Sequence, residues 1–293
     1  MSERVAAPIG VVVAMSTELQ HLLNHTTPVG EERHGPWLDR SEMAGNVPLI
    51  TLRCGIGMVN AAAGTEHLIA TYAPRAVINF GCVGAHRRDI LPGDVVIGSG
   101  AVNHGAMHIL ASGETYFPGL EYQFQGQEVA LTELLCDPAL VEETIAAAEG
   151  WQPDPWPRGL NLPEGFAQRA PQVHVGRVGS ADIWTQHHGR IDELNARHGT
   201  LCEDMEAAAI AHVCVRHGVP FMTVKDVSNN EFHKVSDLVD QGEVLPAAEV
   251  GRRSADLVLR LLARLGGERS TATEGQTFHF NPVPRAGGAE LLR

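Results

Sequence analysis

The sequence predicts an α/β protein whose site lies along the carboxyl ends of its strands. Short apolar runs of strand length alternate with helical stretches along most of the chain. Several of these runs end in Gly-rich or acidic turns that lead into helices, and open α/β sheets bind ligands there. One stretch, residues 201–230, combines acidic residues, an apolar helix, a buried strand and a polar cluster at that strand's end. The other elements are read around it.

Residues 205–215 interleave Ala207, Ala208, Ala209 and Ala211 with Met205, Ile210, Val213 and Cys214. Apolar residues fall on nearly every face, which predicts a mostly buried helix. Glu203, Asp204 and Glu206 stand near its start, where negative charge suits the helix dipole. Gly218 is the expected stop, after Arg216 and His217. Pro220 then opens an apolar strand over 221–224, followed by Lys225, Asp226, Ser228, Asn229 and Asn230. The plain reading of the three acids is a solvated helix start. Glu206 argues against it, because Met205 and the alanines around it imply a dry setting. A carboxylate there needs a partner, and a ligand diol would serve.

From the N-terminus, residues 9–14 read as a buried strand, and Met15-Ser16-Thr17-Glu18 turns into a helix through Leu19, Leu22 and Leu23. Ser16 or Thr17 can cap it, and Glu18 then sits at a strand-to-helix junction. A strand over 48–52 leads through Gly55-Ile56-Gly57 into an Ala-rich helix, 61–72, whose glycines allow close backbone approach. A strand over 76–80 is expected to end in a turn, Gly81-Cys82-Val83-Gly84-Ala85. Residues 91–97 form a turn and strand. Residues 116–130 hold an aromatic cluster, most simply core. Residues 150–170, with Trp151, Trp156 and four prolines, are expected to be an insertion or lid-like loop. A strand over 173–178 ends in Gly179-Ser180-Ala181-Asp182-Ile183-Trp184, and Trp184 offers a stacking surface or core filling. Polar helix 191–198 and amphipathic helix 246–265 complete the fold, and a loose tail is expected from 266 to 293.

The chain has 293 residues, enough for a full core, and a net charge of −13 that argues against nucleic-acid and anionic-membrane partners. Five scattered cysteines without CxxC suggest reduced thiols and a cytoplasmic setting. No apolar run reaches membrane-spanning length, and no secretory leader is recognisable at the start. There is no HExxH and His187-His188 looks like a polar helix face, so neither a catalytic metal nor a cofactor is expected.

DMEAAAIAHVC, followed by an apolar strand and a Ser-Asn pair, resembles the nucleoside phosphorylase/nucleosidase superfamily. Within it the similarity is greatest to the 5'-methylthioadenosine/S-adenosylhomocysteine nucleosidases, over roughly residues 8–265. GIGMVNAAAG and AMSTE resemble further segments of that family. The resemblance implies a single domain over 1–265, a three-layer sandwich in which helices flank a mixed central sheet. It also implies a homodimer and hydrolysis of a purine nucleoside to free base and a ribosyl product.

Carried onto this sequence, the resemblance makes Glu18 the group that activates water, and places Glu206 under the ribose hydroxyls with Met205 and Asp204 beside it. Ile183 and Trp184 pack on the purine, while Cys82 and Gly84 line the ribose and nucleophile pocket. Ser228 and Asn229 sit beside the base. Three residues depart from the family pattern: Cys82 replaces a hydroxyl residue, Asp204 a Glu, and Asn229 an Asp acid. Asn229 either shifts preference toward 6-oxopurines, or leaves acid catalysis to Asp226 or to a water that it holds. No arginine falls where the family's phosphorylases place their phosphate ligands, and Glu18 would repel phosphate, so water is the expected nucleophile. A phosphorylase and an inactive nucleoside-binding protein are the alternatives.

Overall fold

In the computed structural model of the chain, residues 7–267 are described except 118, 125, 132–133, 157–168, 234, 237–242, 245 and 247. The chain begins with β1 (Ile9–Val13), α1 (Ser16–Leu23), β2 (Thr27–His34), β3 (Trp37–Ala44), β4 (Val47–Arg53), α2 (Met58–Tyr72), β5 (Ala76–Ala85) and β6 (Val95–Asn103). Short strands follow: β7 (His108–Ile109), β8 (Thr115–Tyr116), β9 (Leu120–Phe124), β10 (Gln127–Leu131) and β11 (Leu134–Leu135). Then come α3 (Pro138–Ala148), β12 (Val173–Ser180), α4 (His188–His198), β13 (Thr200–Asp204), α5 (Ala207–His217) and β14 (Phe221–Asn229). The short β15 (Val235–Ser236) and β16 (Glu243–Val244) precede α6 (Arg252–Gly267).

The central sheet runs β11-β6-β12-β13-β5-β1-β4-β3-β2, and β14 pairs with both β5 and β6. Strands β5, β14, β6, β12 and β13 therefore close a circuit at one end of the sheet. It is mixed: β14 runs parallel to β5 and antiparallel to β6. Helices α1, α3 and α6 pack together, and α2 and α5 form a second group. Every residue of β1 and β14 is buried, as covering on both faces requires. The predicted α/β sheet flanked by helices is thus observed.

Local differences have tertiary causes. Residues 200–204 form a strand, so Glu203 and Asp204 end β13 rather than head a helix, and Glu206 is the N-cap of α5. Residues 81–85 continue β5 instead of turning, because Gly84 and Ala85 pair with Glu203 and Cys202 of β13. Pairing also carries β14 through Ser228 and Asn229, beyond the apolar run that marked it. The N-cap of α1 is Met15, whose N–H donates to the Glu18 carboxylate; neither Ser16 nor Thr17 caps it.

The β2–β3 hairpin has no counterpart in the sequence reading, because β2 is exposed along its whole length and lacks an alternating pattern. In the aromatic segment Tyr122 is buried against His212, while Tyr116 is exposed. The final helix begins at Arg252 rather than 246, after a turn with Gly251 at φ 81°. It includes residues 266–267, which the sequence assigned to the tail. Residues 268–293 and most of the expected loop, 157–168, lie outside the described residues.

Gly98 of β6 faces Thr223 of β14, and a Cβ there would overlap the Thr223 methyl and lie 3.1 Å from its carbonyl oxygen. Gly98→Ala should lower unfolding free energy by about 1–3 kcal/mol, the usual cost of overpacking. The check is a lower denaturant midpoint at unchanged m.

Candidate active site

A cavity with about 630 Å³ of empty space, its open mouth included, sits where β1, β5, β13 and β14 end. That is in the range of small-molecule sites. It is lined by Ala14, Met15, Glu18, Ile56, Cys82, Val83, Gly84, Ile183, Trp184, Glu203, Asp204, Met205, Glu206, Ser228 and Asn229. All the sequence-predicted site residues therefore meet here, with the exception of Asp226.

Glu18 is 2% exposed, in the first turn of α1. Its Oε1 accepts from Cys82 N at 2.8 Å and its Oε2 from Met15 N at 3.1 Å. Gly81 makes this approach possible: a Cβ there would stand 2.6 Å from Oε1. Burial pushes the Glu18 pKa above the ordinary carboxylate value, against those backbone N–H groups and the charge of Lys225.

Glu206 is 7% exposed, and its Oε1 accepts from Gly57 N at 2.8 Å. Gly57 can turn its N–H inward because it adopts φ 103°, which non-glycine residues avoid. Burial and the negative charge of Asp204 push the Glu206 pKa up to about 7, with Lys225 pulling the other way. The two carboxylates thus face one cavity, both with pKa values pushed upward by burial and Glu206 to about 7, which suits acid–base chemistry.

Lys225 is the site residue to which the sequence gave no role. It is fully buried, and its Nζ lies 2.7 Å from Asp204 Oδ2. Burial works against its charge, but Asp204, Glu206 and Glu18 outweigh burial and raise its pKa. Its signal was its place just past the apolar run of β14, on a strand whose every residue is buried. Asp204 has further duties: Oδ1 accepts from Ser180 Oγ at 2.5 Å, and Oδ2 from Ala207 N at 3.0 Å at the start of α5. It touches the cavity wall, but its carboxylate is engaged within the protein.

Glu203 was read only as a helix-start charge. It accepts from Thr185 N at 2.6 Å and Thr185 Oγ1 at 2.9 Å, which fastens the segment carrying Ile183 and Trp184. His86 Nε2 and His104 Nε2, both buried, lie 3.2 and 3.4 Å from its Oε2. Burial alone would raise its pKa, but the imidazoles outweigh it and hold it at about 2.

At the far wall Asn229 Nδ2 donates to Glu231 Oε1 at 3.0 Å, and Ser228 Oγ donates to Asn229 Oδ1 at 3.2 Å. Ile183 and Trp184 are half exposed at the mouth. Asp226 points out of this cavity: its Oδ2 accepts from Arg253 N at 3.1 Å, under α6. Arg53 donates to Ser16, and Arg87 and Arg88 pair with Asp89 and Asp192. Among the described residues, no arginine lines the cavity.

A carboxylate beside one wall, a second with its pKa near 7, and an amide and aromatic surface opposite can hold a polyol and a flat heterocycle. They can also stabilise a cation forming between them.

The profile described as the phosphorylase superfamily matches residues 8–263. The chain is 31% identical over 260 residues to a 5'-methylthioadenosine/S-adenosylhomocysteine nucleosidase of Chromohalobacter salexigens, covering 88% of this chain and 97% of that protein. It is 30% identical over 223 residues to the nucleosidase of the same name from Bacillus subtilis, covering 74% of this chain and 81% of that one. Among solved structures it is similar to S-adenosylhomocysteine nucleosidase of Streptococcus pyogenes in complex with 5-methylthiotubericidin. The TM-score is 0.68 at 25% identity, over 89% of this chain and 98% of that one. The Neisseria meningitidis nucleosidase in complex with methylthio-immucillin-A also gives 0.68, at 24% identity, over 88% and 100%.

Glu203 with its depressed pKa contributes stability above the unfolded value of 4.5, and this is lost as pH falls toward about 2. Glu203→Gln should therefore cost on the order of 3 kcal/mol at pH 7. Urea titrations of both chains should show the gap narrowing below pH 4.5; a constant gap would mean that the charge contributes nothing.

Proposed function

The chain belongs to the phosphorylase superfamily, and from that premise we propose that it is a purine nucleosidase that hydrolyses the N-glycosidic bond of nucleosides of the methylthioadenosine and adenosylhomocysteine type. The observation that carries the reading is the pair of buried carboxylates, Glu18 and Glu206, facing one cavity with no arginine among the described residues that line it.

Breaking a ribosyl C–N bond builds positive charge on the sugar, requires a nucleophile on the face away from the base, and needs a proton or hydrogen bond at the departing purine. Glu206 accepts from the 2'- and 3'-hydroxyls, and its charge stabilises the ribosyl cation. Glu18, fixed by two backbone N–H groups, orients a water and takes its proton. Its raised pKa makes it a better base than an exposed carboxylate. Lys225 lowers the Glu206 pKa against burial and so favours its anionic form, without entering the cavity, since its ammonium is paired with Asp204. Phosphate would meet Glu18 and Glu206 here with no cationic side chain among the described residues that line the cavity, which favours water.

Trp184 and Ile183 cover the base, and Ser228 and Asn229 border its other edge. The Asn229 amide donates a hydrogen bond but no titratable proton. Asp226 lies outside the cavity beside Arg253, so a water held by Asn229 is the better supported proton source at N7. We place the protein in the cytoplasm, on its five free cysteines. We also place it in a homodimer that covers exposed Ile56, Val59 and Ile183 beside the mouth.

Incubation with methylthioadenosine, adenosylhomocysteine and inosine, with and without phosphate, tests the reading. Free base should appear at a rate independent of phosphate. Base release only with phosphate would make the chain a phosphorylase, and binding without release a nucleoside-binding protein.

Because Glu206 must be ionised, kcat/KM should fall tenfold per pH unit below about 7. Glu206→Gln should reduce kcat by a hundredfold or more. The same change should stabilise the fold at pH 8: a carboxylate whose folded pKa is raised costs stability above that pKa, here on the order of 3 kcal/mol. A Glu206→Gln chain as active as the native one removes the ribose assignment.

Asn229→Asp should raise the rate on methylthioadenosine relative to inosine, because a carboxylic acid can protonate N7. An unchanged ratio removes Asn229 from base recognition.

A further inference from the structure

At the opposite end of the sheet, β2 and β3 meet the last turns of α2, and three side chains converge there. We propose that His34, Asp39 and His67 bind a divalent transition-metal ion of the zinc class, which fastens the β2–β3 hairpin to α2.

One ligand atom from each of these residues lies within 4.8 Å of the other two. His34 Nδ1 is 3.0 Å and His67 Nε2 2.7 Å from Asp39 Oδ2. Two imidazoles and a carboxylate, completed by water, form a common zinc donor set. Ligands around a tetrahedral zinc ion sit about 3.3 Å apart, given bonds of about 2.0 Å. The observed spacings of 3.0 and 2.7 Å reach that value by small rotations of both imidazole rings, of which His34 is 42% and His67 14% exposed.

A second, independent feature points to a cation. Asp39 is 2% exposed, yet its Oδ1 is buried with no hydrogen-bond partner, while Oδ2 takes all the donors. An orphaned buried carboxylate oxygen is costly, and a metal ion supplies the missing partner. The surrounding groups are those that orient metal ligands. Thr71 Oγ1 lies 3.3 Å from His67 Nδ1, so that nitrogen can carry the proton and leave Nε2 free to coordinate. The Tyr72 hydroxyl donates to Asp39 Oδ2 at 2.9 Å, and Trp37 stacks on His67 with ring centres 5.9 Å apart. His67 is 14% exposed and His34 more so, which leaves a path from solvent.

The ion would join an edge hairpin to a helix whose ligand lies 28 residues further along the chain. In the sheet order β2 is separated from β5 by β3, β4 and β1. The ion is therefore structural, and turnover at the cavity does not depend on it.

The test uses the full chain, stripped with chelator and titrated with zinc chloride alone by calorimetry, with cobalt(II) absorption as a geometric readout. The expected result is a site of one ion per chain that gives tetrahedral cobalt bands and raises Tm. His34→Ala, which alters an exposed side chain, and His67→Ala should each weaken that site at least about tenfold. In both variants the zinc-dependent rise in Tm should disappear, with nucleoside turnover unchanged. Zinc binding of equal affinity in native and His34→Ala chains would mean that other histidines capture the ion. No binding would mean that the cluster is a hydrogen-bonded clamp only. Either result overturns the proposal.

Discussion

The architecture of the candidate active site depends on one buried ammonium group shared among carboxylates. Lys225 pairs directly with Asp204 and lies close enough to Glu206 and Glu18 to affect the pKa of both. Without it three acids would sit together in a dry pocket, and like charges in low dielectric cannot all ionise. With it, Asp204 pairs with Lys225 while accepting from Ser180 and from Ala207 N at the start of α5, and the Glu206 pKa is held at about 7. A buried ion pair is a poor source of net stability. Its value here is positional: it fixes the start of α5, and thereby Glu206, relative to the ends of β13 and β14.

Glycine backbone brings the remaining partners close. Gly57 turns its N–H onto Glu206, and Gly81 lets Glu18 approach β5 closely enough to accept from Cys82. Each carboxylate is held by main-chain donors: Glu206 by Gly57 N, and Glu18 by Cys82 N and Met15 N. Such groups cost little reorganisation when charge develops in a reaction.

Around this centre the chain has substituted its own solutions. Glu203, with His86 and His104 behind it, fastens the segment that carries Ile183 and Trp184 through Thr185. Asn229 offers an amide where relatives are expected to offer an acid, and its neighbour Glu231 holds that amide in place. Cys82 contributes its backbone N–H to Glu18, so the missing hydroxyl does not cost the carboxylate its anchor.

Local patterning made the α/β class legible, along with the apolar strands β1, β5 and β14, helix α5 with its Gly218 stop, the placing of Glu18, Trp184 and Asn229 at strand ends, and Glu206 near the start of α5. These follow from hydrophobic period, capping and turn chemistry, which act over a few residues. Long-range pairing was not legible. It made residues 81–85 and 200–204 strands, turned Asp226 toward Arg253, buried Lys225 against Asp204, and brought His34, Asp39 and His67 together. The reason is that a charge's partner and a strand's neighbour are set by segments far apart in sequence, and neither leaves a periodic trace in the segment itself. The sequence alone determined the kind of fold and, through its resemblance to a known family, named most of the residues that line the cavity. Only the tertiary structure decided which of those residues face the cavity and what each is paired with.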